Sequence, residues 1–352
     1  MIASGTGPKM TARIKSFFAA IDRFTLMLIG TVILASLLPA GQGAAKVVSG
    51  AASISVVVLF FLHGAKLPRE AVISGLTHWR LHLFVLATTF VLFPLMGLAL
   101  GPVAGAVGMS ANLYTGFLFL CCLPSTVQSS IALTSIARGN VPAAICSASA
   151  SNLLGIALTP LLAGVILGTS GGFSLGALGS LLGQLLLPFV AGQIMRRWIS
   201  GWMARHKQLV GIVDRGSILL MVYSAFSHAV RDGIWHRTSL FDIIVIMVLS
   251  LVILAIALSL TYFGGGRLGF NRPDRITMMF CGSKKSLVSG VPIANVLFAP
   301  AVAGVVVLPI MIFHQLQLLV CAELARRFAA SAPAEEEQQL PPAPAARAVA
   351  GA

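Results

Sequence analysis

Two short runs concentrate the residues in this chain that are able to handle a polar or charged solute. The first is Cys122-Leu123-Pro124-Ser125-Thr126-Val127-Gln128-Ser129-Ser130, and the second is Cys281-Gly282-Ser283-Lys284-Lys285-Ser286, followed by Gly290 and Pro292. Each interrupts an apolar stretch with helix breakers and a cluster of hydroxyl, amide or ammonium groups. A proline inside a helix removes one amide donor and displaces a carbonyl, so the backbone around it offers unpaired polar groups. In hydrocarbon such groups persist only where they line a polar cavity or are buried against protein. Ser125, Thr126, Gln128, Ser129, Ser130, Ser283, Lys284, Lys285 and Ser286 are therefore the candidate substrate- or ion-binding residues. The plainer alternative is a pair of ordinary Pro or Gly kinks packed by serine hydroxyls.

The tandem lysines sharpen the choice, because a cation at the centre of a membrane costs at least about 2.5–3.5 kcal/mol on the insertion scale and demands compensation. Either they face the site, or they snorkel to an interface from a span that begins near residue 276. The nearest intramembrane acids are Asp214, adjacent to Arg215, and Asp242 and Glu323 near span ends. No paired acids, His-x-x-x-His or Gly-x-Ser-x-Gly arrangement suggests catalysis, so an enzyme is not expected. His63, His228 and His314 stand alone and read as packing or hydrogen-bonded residues rather than ligands. Cys121, Cys122, Cys146, Cys281 and Cys321 all lie in apolar runs without disulfide or zinc spacing, and read as small packing residues. No metal and no cofactor is expected.

The elements that must position these runs follow from composition. Hydrophobic residues make up 57% of the 352, charged residues only 10%, and the mean hydropathy is +0.94. A soluble fold with about 25% charge does not look like this. The net charge of +14 does not imply nucleic acid, because the basic residues sit singly between apolar runs and form no clustered face. Stretches of roughly 20 apolar residues cross a bilayer as helices, and ten are expected here, near 24–41, 45–65, 82–103, 113–136, 141–166, 173–195, 208–230, 240–263, 276–298 and 301–325. Of the 24 Lys and Arg, the loops on one face hold only Lys46, Arg231 and Arg237. Arg215, Lys284 and Lys285 fall within spans, and all the others lie on the opposite face. Cytoplasmic loops are the basic ones, so both termini are expected in the cytoplasm, with the chain integral to a plasma (bacterial inner) membrane.

A rival reading takes Arg23 to Ala45 as a cleaved signal peptide, which would leave nine spans. Ser74 to His82 and Arg196 to Lys207 read as interfacial connectors, with Trp79, Trp198 and Trp202 at headgroup depth. The Pro/Ala-rich tail from Arg326, with Glu335, Glu336 and Glu337, has the composition of a disordered segment.

An odd number of spans per half forces the second half to start on the other side, which is the inverted repeat common in secondary transporters. The domains then read as a cytoplasmic segment over 1–23, a first five-helix repeat over 24–166, a second over 173–325 and the tail over 326–352. Spans four and nine carry the two broken runs in equivalent places. Paired interruptions are the best sequence pointer to a site near the midplane, with the two helices crossing at their breaks.

At these residues the chain resembles the bile acid:sodium symporter superfamily. The resemblance covers all ten spans and rests on Cys122 to Ser130, Ala137-Arg138-Gly139-Asn140 and Leu158-Thr159-Pro160-Leu161-Leu162. Phe60-Phe61-Leu62-His63-Gly64-Ala65-Lys66-Leu67 and Gly282-Ser283-Lys284-Lys285-Ser286-Leu287 are similar to the branch called sodium/bile acid cotransporter 7. In sodium-coupled relatives the resemblance implies ion ligands from a Ser-Asn pair, a Glu and a Gln of helix nine, and a Gln of helix three. Here the pair reads Ser129-Ser130, the Glu falls near Phe280 or Cys281, and the two Gln fall near Lys284 or Lys285 and near Thr89. The carboxylate is missing and an ammonium stands where a cation would be repelled.

The expected function is secondary transport of a small organic anion, with sodium coupling doubtful and coupling to sodium or protons left open. The alternative is a non-transporting membrane regulator of ion flux, for example of calcium, on the same fold; a central cavity closed by packing would favour it. The expected partners are the anion and the lipid bilayer, with no nucleic acid.

Overall fold

The computed structural model describes residues 23–66, 78–167 and 175–331. Among them the chain is helical throughout, with no strand. The helices are α1 Arg23–Leu37, α2 Gln42–Lys66, α3 Trp79–Ala106, α4 Ala111–Cys122, α5 Gln128–Ile136, α6 Val141–Leu167, α7 Leu175–Arg205, α8 Lys207–Arg231, α9 Leu240–Arg267, α10 Arg272–Gly282, α11 Leu287–Leu297 and α12 Pro300–Ala330. A single turn, Ile234–Arg237, joins α8 to α9.

By length and composition, 6 helices can cross a membrane: most of α2 and α12, and all of α3, α6, α8 and α9. The difference from ten has a physical cause in two cases. The expected spans at 113–136 and 276–298 are each split, into α4 and α5 and into α10 and α11, so no piece is long enough alone. Leu26, Ile33, Val91, Leu95, Val248 and Phe263 are among many large apolar side chains left exposed, the pattern of a surface solvated by lipid tails rather than water. The chain is an integral membrane protein.

Three boundaries differ from expectation. α7 runs to Arg205, so the basic Arg196–Lys207 stretch is mostly helix rather than a connector, and it breaks only at His206. Trp198 and Trp202 are exposed on it. α12 continues through Arg326 and Arg327, whose guanidinium groups both donate to Glu323 at 2.9 Å one turn earlier, and the rest of the tail lies outside the described residues. Of the Ser74 to His82 connector, Trp79 already opens α3 and residues 74–77 lie outside the description.

α1, α2, α7 and α8 pack on one another, while α3 to α6 and α9 to α12 form a second set. α2 and α7 approach to backbone contact, because a Cβ on Gly64 would strike the carbonyl of Phe189 and one on Gly192 the carbonyl of Phe61. Small residues allow such approach between membrane helices. The two sets meet mainly where α8 lies against α11 and α12, and α7 against α6.

Candidate functional site

The two breaks lie against each other, and several of the backbone groups they free find partners across the join. α4 ends at Cys122, and Leu123 is extended (φ −72°, ψ 153°) ahead of Pro124, as residues before proline prefer. Thr159 Oγ1 donates to Cys122 O at 3.0 Å. The amide of Ser286, in the second break, donates to Pro124 O at 2.8 Å. In return Ser125 Oγ donates to Cys281 O at 2.6 Å and Ser130 Oγ to Phe280 O at 3.1 Å. The hydroxyls of the first break thus cap the carbonyls that the second leaves open, which removes the cost of orphaned carbonyls at membrane depth.

Lys285 completes the join. Its Nζ donates to Thr89 O, Cys121 O and Leu123 O, each at 2.8 Å, and lies 4.2 Å from the centre of the Phe93 ring. Three acceptors need three N–H donors, so this geometry describes an ammonium. Thr89 O is free to accept for a local reason. Thr88–Leu92 forms a π turn in which the amide of Phe93 turns to Thr88 O, and the next residue, Pro94, has no N–H to offer. The peptide of Lys285 is itself clamped by Gln317, which accepts from its N–H at 2.8 Å and donates to its carbonyl at 2.9 Å. Lys284 makes a weaker contact, from Nζ to Ser129 O at 3.3 Å. Both lysines are fully buried, so neither snorkels.

A cavity of about 510 Å³ opens beside the join. Thr126, Gln128, Ser129 and Ser286 line it. Ser125, Ser130, Ser283, Lys284 and Lys285 do not; they are turned onto backbone or neighbouring hydroxyls, Ser283 onto Met279 O at 2.6 Å. The remaining wall holds polar groups that single-sequence reasoning missed. Ser289 donates to Asn152 at 2.7 Å, and both line the cavity with Ser149 and His314. Elsewhere on the wall Lys66 of α2 pairs with Asp214 of α8 at 2.5 Å, His63 lies 3.8 Å from that carboxylate, and Arg215 is also part of the lining. His63 and His314, which stand alone in the sequence, both line this cavity. The signal available was the His63/Lys66 spacing of one helical turn and an acid within a span. All five cysteines are buried free thiols, as their apolar context implied.

The sequence model of the SBF-like CPA transporter family matches residues 22–330. The chain belongs to this family. This transporter family is that of the bile acid:sodium symporters, and the membership agrees with the resemblance read from the two breaks. An uncharacterised protein of Pseudomonas aeruginosa is 56% identical over 310 residues, covering 88% of this chain and 93% of the relative. YfeH of Escherichia coli, whose name proposes a symporter, is 52% identical over 312 residues, 88% of this chain and 94% of its own. Sodium/bile acid cotransporter 7 of Rattus norvegicus is 30% identical over 270 residues, 76% and 79% of the two chains.

In this family member the turn Ala137-Arg138-Gly139-Asn140 has a structural job. Arg138 adopts φ 59° and the amide of Gly139 returns to Thr134 O, a helix ending in which a left-handed residue costs about 1 kcal/mol without glycine. That ending aims Asn140 at α10. Its side chain donates to Asp274 at 2.8 Å and its carbonyl accepts from Thr277 at 3.0 Å. α5 and α10 are thereby tied at their outer ends as well as at the breaks.

Proposed function

We propose that this family member is a secondary transporter that carries a small organic anion by alternating access, with sodium dependence weak or absent. The proposed architecture has ten spans in two inverted five-helix repeats, residues 24–166 and 173–325, flanked by the segments 1–23 and 326–352. Both termini lie in the cytoplasm of a bacterial inner membrane. The observation that carries the reading is the cavity at the two helix breaks, whose wall combines hydroxyls from both and the amide of Gln128 with an apolar flank including Phe60, Leu153, Phe189 and Ile293. Such a wall suits an amphipathic solute with a few polar anchoring points. Thr126, Gln128, Ser129 and Ser286 are its proposed contacts at the breaks. The remaining predicted site residues are proposed to hold the breaks together. A non-transporting regulator has no need of a polar cavity between two broken helices, so its presence favours transport.

Weak sodium dependence is supported by Lys285, whose ammonium takes carbonyls of α3 and of the first break. A bound cation would be asked to do the same, and the fixed one repels it. The lysines also favour an anionic solute, as a positive potential behind the cavity wall raises the local anion concentration.

The test is uptake into proteoliposomes of a panel of aryl and steroidal sulfonates and carboxylates, with sodium or potassium outside. Saturable uptake of at least one anion in both salts is expected. No uptake of any would overturn the anion reading, and uptake that requires sodium would overturn its uncoupling from sodium.

A further inference from the structure

The charged cluster that α2 and α8 bring to the cavity contains no residue of the helix breaks. Lys66 Nζ lies 2.5 Å from Asp214 Oδ2. The other oxygen, Asp214 Oδ1, is buried with no hydrogen-bond partner among the described residues, and His63 Nε2 is 3.8 Å from it. Asp214 is the single carboxylate among the residues that line the cavity, and the cationic or titratable groups there are His63, Lys66, Arg215 and His314. Among the described side chains, those of α1, α7 and α11, which also pack on α8, bring no titratable group to that wall.

An organic anion entering this cavity meets a lysine whose counter-ion is already in place. To take Lys66, it must displace the Asp214 carboxylate, which would then be left charged with neither oxygen hydrogen-bonded in a partly desolvated wall. That is costly unless the carboxylate is protonated. We propose that Asp214 is an exchangeable internal substitute for the anionic group of the substrate, so that a proton on Asp214 and an anion on Lys66 bind together. The proton goes to Asp214 Oδ1, facing His63, and the anion replaces Oδ2 at the ammonium. One positive and one negative charge enter together, so the net charge of the loaded cluster equals that of the empty one. Proton and anion binding are then reciprocally linked, each strengthening the other. The transporter becomes a proton–anion symporter that needs no sodium. This rests on the anion-transport reading above and adds its coupling ion.

The test uses the full chain in detergent and 2-naphthalenesulfonate as probe, because a sulfonate stays ionised at every assay pH and any proton taken up belongs to the protein. Calorimetry in buffers of different ionisation heat should show about one proton taken up per sulfonate bound. Affinity should fall as pH rises, approaching tenfold per pH unit, the slope expected for one linked proton. Asp214→Asn, which imitates the protonated acid, should bind with no proton uptake and no pH slope, and Lys66→Met should lose binding at every pH. In the wild type, adding the sulfonate should raise an infrared band of a protonated carboxyl that shifts on carbon-13 labelling of aspartate; this arm needs no variant to fold. Binding without proton uptake and without that band overturns the coupling proposal and leaves the anion reading standing, with Lys66–Asp214 a structural tie between α2 and α8. No binding of the sulfonate, by wild type or Asp214→Asn at any pH, counts against the coupling proposal, and only joint failure of the whole anion panel above would remove the anion reading beneath it.

Discussion

Replacing Lys285 by methionine keeps most of the side-chain volume and removes the ammonium. Three hydrogen bonds of 2.8 Å disappear, and the carbonyls of Thr89, Cys121 and Leu123 lose that donor in a site where Lys285 is 0% exposed. Hydrogen bonds to a charged group are worth about 1.5–3 kcal/mol each, which sets a ceiling of roughly 4.5–9 kcal/mol. Relief from burying an ammonium returns several kcal/mol of this, leaving a net loss of about 2–5 kcal/mol. For a chain of this size each kcal/mol lowers Tm by roughly 2 °C, so a drop of about 4–10 °C is expected. The matched control is Lys284→Met, which loses one contact of 3.3 Å and should move Tm by less than half as much. Both are measured on purified protein in one detergent, following exposure of the buried thiols with a thiol-reactive dye. Equal shifts for the two variants, or none for Lys285→Met, would refute the reasoning that three carbonyls hold the ammonium in place.

Three further outcomes are expected. Replacing potassium or choline by sodium at constant ionic strength should leave Tm unchanged; a sodium-specific rise following mass action would mean that an ion site persists. Gly64→Ala should cost about 1–3 kcal/mol as overpacking, because the new methyl meets the backbone of Phe189, and an unchanged melting curve would show that α2 and α7 are not locked. Ser129→Cys, at the cavity wall, should react with a membrane-impermeant maleimide in at least one transport condition. Ser283→Cys, fully buried, should stay protected, and the reverse order would contradict the placement of the two breaks.

Membrane class and the positions of the two breaks were legible because they depend on local properties: hydropathy over a window, and Pro, Gly and hydroxyl residues within it. The same local view could not choose between Lys284 and Lys285, which differ only in the direction each side chain takes from a non-helical segment. Nor could it foresee the π turn at Thr88–Leu92, which frees Thr89 O although the residues around it read as ordinary apolar helix. The clamp from Gln317 and the Lys66–Asp214 pair join residues far apart in the chain, and no period in the sequence encodes such a meeting. Serines in the breaks illustrate the limit from the other side. Their type was right for a polar lining, yet Ser125 and Ser130 spend their hydroxyls on carbonyls of the opposite break, because satisfying backbone at that depth is worth more than facing water.

The lysine socket also bears on the order in which the protein can be made. Thr89, Cys121 and Leu123 leave the ribosome long before Lys285, so the acceptors exist as an unfilled receptacle while half of the chain is still being synthesised. The segment carrying the two lysines is a poor candidate for independent entry into the bilayer, but docking onto waiting carbonyls offsets the penalty on its charge. Membrane entry of this segment and closure of the two halves are then a single late step. A chain truncated before residue 285 would lack the donor that answers the carbonyls of Thr89, Cys121 and Leu123.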